Sequence, residues 1–123
     1  DWGTYLKRQR DQPQDMDLFQ LGWTGDNGDP DNFLAVLFDG MESAAVRTQW
    51  QNEAFHKLMD EGRTTVDQGK RAEIYKKAQQ IMFDECPVLP IAHSIVVSPE
   101  LKKVQNFKLH PTNSVRMRSV WLQ

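Results

Sequence analysis

LFQLGWTGDNGDPDNFL, residues Leu18 to Leu34, is the stretch on which the rest of the chain depends. Leu18, Phe19, Leu21 and Trp23 form an apolar run too short for a helix, and Gly22, Gly25, Gly28 and Pro30 punctuate it. The run therefore predicts a strand over Asp17 to Trp23 that ends in a polar turn. Asp29 before Pro30 has the form of an N-cap with proline at the first helical position, and Phe33, Leu34, Val36 and Leu37 supply the buried face of the helix that follows. Three acids, Asp26, Asp29 and Asp31, crowd this turn. Capping and compensation of the helix dipole account for Asp29. Asp26 has no such duty, because it follows a glycine at the end of a predicted buried strand. Spacing alone leaves two readings of it open: a solvated turn acid, or a carboxylate that binds something cationic, since strand ends in α/β folds are favoured ligand positions. A calcium loop starting at Asp26 is excluded, because Gly28 and Leu37 stand where an Asp or Asn and a Glu are needed.

Working outward, Trp2 through Arg10 mixes aromatic and basic residues and predicts an amphipathic helix beginning after Gly3 and Thr4, followed by a surface loop from Asp11 to Asp15. Beyond the helix of Pro30 to Phe38, the stretch Asp39 to Gln51 reads as an irregular connection around Met41 and Val46, anchored by Trp50. Asn52 then caps a helix with Phe55, Leu58 and Met59 on one side. His56 on that helix has no second ligand at i+4 and is expected to face solvent, not to bind metal. Thr64, Thr65 and Asp67 are cap candidates for a helix through Lys70 to Asp84, with Ile74, Ala78, Ile81 and Met82 along one stripe. Lys70, Glu73, Lys76, Lys77 and Gln80 on the other face read as solvated surface and not as a nucleic-acid patch, in keeping with a formal charge of −2.

Pro87 and Pro90 stop that helix and frame predicted strands at Val88 to Ala92 and Ile95 to Val97. The tail, with Val104, Phe107 and Leu109 and then Val120, Trp121 and Leu122, reads as short strands separated by a turn at Pro111 to Ser114. The lone Cys86 has no internal disulfide partner, and its apolar neighbours predict a packed thiol, a reactive surface thiol being the alternative. His93 and Ser94 do not make a catalytic pair, since adjacent strand residues point to opposite faces. With 123 residues and 39% apolar content the chain fits one ordinary domain with a modest core. It starts at Asp1 with no initiator methionine, signal peptide or membrane-length apolar run, so an excised C-terminal piece of a longer protein is expected.

GWTGDNGDPDNFLAVLF, from Gly22 to Phe38, resembles the C-terminal part of periplasmic dipeptide-binding proteins, the solute-binding proteins that feed peptide ABC transporters. DWGTYLKR at Asp1 to Arg8, KRAEIYKKAQQIMFDECPVLPIAHS at Lys70 to Ser94 and VQNFKLHP at Val104 to Pro111 agree in order and spacing, and together the four stretches cover nearly the whole chain. The resemblance implies an α/β fold, the C-terminal part of a two-lobed periplasmic-binding-protein type II architecture. Residues 1–95 would belong to the C-terminal ligand-binding lobe, and residues 96–123 would make a hinge crossing and strands returning to the first lobe. It implies a periplasmic receptor, or an extracytoplasmic and membrane-anchored one, for dipeptides or short peptides that hands them to a membrane permease, with no enzymatic activity, cofactor, metal or nucleic-acid partner.

Asp26 matches the aspartate that in similar proteins holds the peptide α-ammonium. The backbone of Leu21, Gly22, Trp23 and Thr24 would bond the peptide main chain, and Trp23 would wall the pocket, simple packing being its alternative. Some relatives carry a cysteine pair in the region corresponding to Asp39 to Gln51, which here has none. The arginine that receives the peptide carboxylate in relatives would lie upstream of Asp1. The alternatives are a receptor for another small solute, such as haem or a metal complex, and an acid/base hydrolase using Asp26, Asp29 or Asp31. Without its partner lobe, the isolated piece is expected to self-associate.

Overall fold

Capping side chains at Asp1, Asp29, Asn52 and Asp67 fix where the helices of this chain begin. A computed structural model describes residues 1–40, 48–112 and 114–123. Helix α1 spans Trp2–Asp11, α2 Pro30–Phe38, α3 Glu53–Thr64 and α4 Gln68–Glu85, with one 3-10 turn at Pro13–Asp15. Asp29 Oδ1 accepts from the backbone of Asp31 at 2.9 Å, Asn52 Oδ1 from Phe55 at 2.9 Å and Asp67 Oδ1 from Lys70 at 2.8 Å, as the spacing of each predicted. Helix α1 starts earlier than expected because the Asp1 carboxylate accepts from Thr4 N at 3.2 Å and so satisfies a first-turn donor.

The core is the seam of α2, α3 and α4. Leu34, Ala35 and Phe38 from α2 meet Phe55 and Met59 from α3 and Tyr75 and Ala78 from α4, with Ile81 and Met82 half-buried at its margin. Helices α3 and α4 form a hairpin across the short connection at residues 65–67 and pack tightly at Gly62, where an added Cβ would fall 2.8 Å from Tyr75 Cζ. Trp50 anchors the connection into α3 as expected. Its ring meets Phe55 edge-on at 5.0 Å between centroids, and its indole N–H donates to Glu85 Oε2 at 2.7 Å.

The sheet content differs from the expectation. Val104–Gln105 (β1) and Trp121–Leu122 (β2) pair antiparallel, with Val104 opposite Leu122, so the predicted tail strands are found in shortened form. Asp17 to Trp23, Val88 to Ala92 and Ile95 to Val97 are not strands: they run without regular hydrogen bonding and without a neighbouring strand among the described residues. A strand needs a second chain segment for its N–H and C=O groups, whereas a helix satisfies its own. The α/β expectation is therefore met only coarsely, as helices with one small antiparallel ribbon.

Cys86 is also a correction. It is exposed, because it ends α4 in the left-handed region (φ 48°) and the segment after it leaves the core. The connection around Met41 and Val46, and Asn113 in the predicted turn of the tail, lie outside the described residues. Among the described residues no helix is long and apolar enough to cross a membrane.

Candidate ligand-binding turn

Three acids that look alike in the sequence are in different circumstances in the structure. Asp29, besides capping α2, is gripped by Arg71: Nη1 donates to Oδ2 and Nη2 to Oδ1, both at 2.8 Å. Arg71 is itself aimed by its Nε donating to the carbonyl of Gly62 at 2.9 Å and by Nη2 donating to the Tyr75 hydroxyl at 2.9 Å. These hydrogen bonds hold the Asp29 carboxyl below the usual carboxylate range and push Arg71 upward, while burial raises Tyr75. Asp31 is paired with Arg63, whose Nε donates to Oδ1 at 2.9 Å.

Asp26 has no cationic partner among the described residues and faces solvent. Its contacts are with Asn32, the third residue of α2. The Asp26 backbone N–H donates to Asn32 Oδ1 at 2.9 Å, and Asn32 Nδ2 donates to Asp26 Oδ2 at 3.2 Å. The turn between these two residues is closed by Asn27, whose Oδ1 accepts from Asp29 N at 2.9 Å, and by Gly28, which takes φ 76° as few residues other than glycine do. Gly25 is buried beneath the ring of Phe33, which leaves no room for a side chain there.

The residues before the turn supply a second surface. Leu21, Gly22 and Trp23 line a hollow of about 100 Å³ together with Phe19, Leu37, Phe38, Thr48 and Val88. The Trp23 indole N–H leaves this hollow to donate to Asn32 Oδ1 at 3.2 Å, which joins the aromatic wall to the Asp26 turn. Thr24 is exposed between them and does not line the hollow. Upstream, Gln20 is pinned by Tyr5, whose hydroxyl donates to the Gln20 carbonyl at 2.5 Å and accepts from its N–H at 3.2 Å. From Leu21 to Thr24 the backbone makes no hydrogen bond with the described residues, so four successive peptide groups stand open next to a carboxylate that has no cationic partner among them.

Sequence reasoning did not single out Asn32, Arg71 or Arg63. Arg71 had a usable signal: it continues the stripe of Ile74, Tyr75 and Ala78 one turn toward the N-terminus, and a cation on an apolar stripe calls for an anion. His56 differs from the expectation of a residue simply facing solvent. It is half-exposed, with Nδ1 2.9 Å from Oδ1 of the buried Asp39 and Nε2 3.5 Å from Asp60. His93 and Ser94 are both exposed.

No family model matches the chain. Known proteins do. It is 40% identical over 125 aligned positions to a dipeptide-binding protein of Escherichia coli, covering all of this chain and 23% of that protein. It is 45% identical over 113 residues to di/tripeptide-binding protein 3 of Pseudomonas aeruginosa, covering 90% of this chain and 21% of that one. Heme-binding protein A of Haemophilus influenzae is 33% identical over 112 residues. Among solved structures, HbpA2 from Haemophilus parasuis superposes with a TM-score of 0.73 at 33% identity, over the whole of this chain and 24% of that one. The chain thus spans between a fifth and a quarter of the length of these relatives. Over its whole length it is homologous to the dipeptide-binding proteins, the family that its glycine- and aspartate-rich turn resembles.

Proposed function

We infer that this chain is part of a two-lobed solute receptor of an ABC transporter, and that it supplies the end of the cleft that takes the amino terminus of a dipeptide or short peptide. The observation that carries this reading is the open backbone of Leu21 to Thr24 running into Asp26, the one acid of the turn left without a cation among the described residues. A free dipeptide is a zwitterion, and burying its ammonium needs a compensating anion, since an unpaired charge in a dry cleft costs several kcal/mol. Asp26 supplies that anion. The peptide groups of Leu21, Gly22, Trp23 and Thr24 supply main-chain partners that ignore side chains, and Trp23 offers a non-directional wall to variable ones.

In this reading residues 1–95 belong to the C-terminal lobe, residues 96–123 cross back to the other, and the receptor works outside the cytoplasmic membrane beside its permease. The exposed apolar segment from Leu89 to Val97 is the surface the rest of the receptor covers, and the isolated chain self-associates through it. The protein is not an enzyme: the hydrolase alternative needs a second carboxylate facing Asp26, and both neighbours are held by arginines. Haem is the second reading, on the strength of the haem-binding relative, but the matches to peptide-binding proteins run at higher identity.

The test is Asp26→Asn in the full-length receptor. Removing one partner of a buried charge pair costs about 2–5 kcal/mol, so dipeptide affinity falls by more than about tenfold. Calorimetric titration that shows unchanged affinity rejects the assignment.

A further inference from the structure

We propose that Asn32 is the positioning residue of this site, fixing the Asp26 carboxylate for an incoming ammonium and tying it to the Trp23 wall. The inference rests on the dipeptide reading above. One short side chain makes three hydrogen bonds: Oδ1 accepts from Asp26 N at 2.9 Å and from Trp23 Nε1 at 3.2 Å, and Nδ2 donates to Asp26 Oδ2 at 3.2 Å. Two donors converge on one amide atom and a carboxylate meets the other, so the orientation of the amide follows from the contacts themselves. Aspartate at this position would keep the acceptor and lose the donor, and glutamine would be a methylene too long for the same fork.

With Oδ2 engaged by the amide, Oδ1 of Asp26 is the oxygen left for the ligand. A turn carboxylate free to rotate loses that freedom when it binds, whereas one already held does not, and its affinity is higher for that reason. The anchor behind Asn32 is rigid as well. Its backbone N–H donates to the Asp29 carbonyl at 3.1 Å, and Asp29 is clamped to α4 by Arg71. The chain of contacts runs from α4 through Arg71, Asp29 and the first turn of α2 to Asn32, and from there to both functional groups. Asn32 therefore acts on the ligand through Asp26 and without touching it.

The experiment uses the full-length receptor, with dialanine and N-acetyl-dialanine as probes, because acetylation removes only the ammonium. The ratio of the two affinities, measured by calorimetry, isolates the Asp26 contact from the rest of the cleft. In Asn32→Ala the ratio is expected to fall at least fivefold toward that of Asp26→Asn, while Lys57→Ala, which removes only an exposed pair with Glu53 on α3, keeps it. If Asn32→Ala keeps the wild-type ratio while Asp26→Asn abolishes it, the positioning role is overturned and the dipeptide reading stands. If Asp26→Asn also keeps it, the dipeptide reading itself falls. Should Asn32→Ala fail to fold, the wild-type receptor labelled with 15N-asparagine gives the answer. The Asn32 side-chain amide signals move on saturation with dialanine and hardly at all with the acetylated form, and signals that dialanine leaves in place overturn the proposal.

Discussion

Asp29 does two jobs that a single substitution can separate. Asn at this position still caps α2, but it cannot form the charged pair with Arg71. Asp29→Asn is therefore expected to lower stability by about 1–2 kcal/mol at neutral pH, the range for a charge-assisted pair discounted for partial exposure. Its pH dependence has a definite sign. The folded carboxyl is held below its ordinary range, so its contribution is complete above the unfolded value, about pH 4, and is lost as pH falls through the lower folded value. Melting curves of wild type and variant should be well separated at pH 7 and converge in strong acid; a separation that grows on acidification contradicts the pairing. Dipeptide affinity in the full-length receptor should change far less than for Asp26→Asn. The cap was legible in the sequence because Asp-Pro is a local signal. Arg71 lies 42 residues further along, and nothing local announces such a contact.

At the scale of elements, the helices and the tail strands were legible, whereas the strands expected at Asp17 to Trp23, Val88 to Ala92 and Ile95 to Val97 do not form. The stripes of Phe55, Leu58 and Met59 and of Ile74, Ala78, Ile81 and Met82 identify α3 and α4 because a helix closes its hydrogen bonds within a few residues and leaves only one face to be covered. Apolar runs such as Val88 to Ala92 announce a strand only when something lies alongside. Two substitutions test the helical hairpin. Gly62→Ala improves intrinsic helix propensity by about 1 kcal/mol, yet its methyl group meets the buried Tyr75 ring, whose hydroxyl is committed to Arg71. Overpacking of this kind costs about 1–3 kcal/mol, so a net loss of stability is expected in urea denaturation, and a gain would show that the two helices have room to separate. Cys86→Gly should do the reverse. A non-glycine residue in the left-handed region at a helix end carries a cost of about 1 kcal/mol that glycine removes, so a small rise in melting temperature is expected.

For the whole molecule, the 123 residues alone are expected to bind dialanine no more tightly than about 1 mM, because an exposed ion pair at Asp26 contributes only about 0–1 kcal/mol without a second wall to exclude water. The same chain should associate, since Leu89, Ile91, Ile95 and Val97 are each more than 70% exposed in a segment without regular hydrogen bonding. Light scattering that shows a monomer, together with micromolar binding by the same sample, contradicts both expectations. That arrangement explains what the sequence conveyed about the site. The turn is closed by contacts within a few residues and could be recognised, whereas nothing among the described residues lies alongside residues 88–97 to make a strand of them. The exposed thiol that ends α4 has a practical consequence. Cys86 is the only cysteine of the chain, and its Sγ lies 3.7 Å from the carbonyl oxygen of Val88, which lines the same hollow as Trp23. A maleimide dye would therefore attach at a single site in this chain, close to the hollow, where its emission could report whether the hollow is wet or filled.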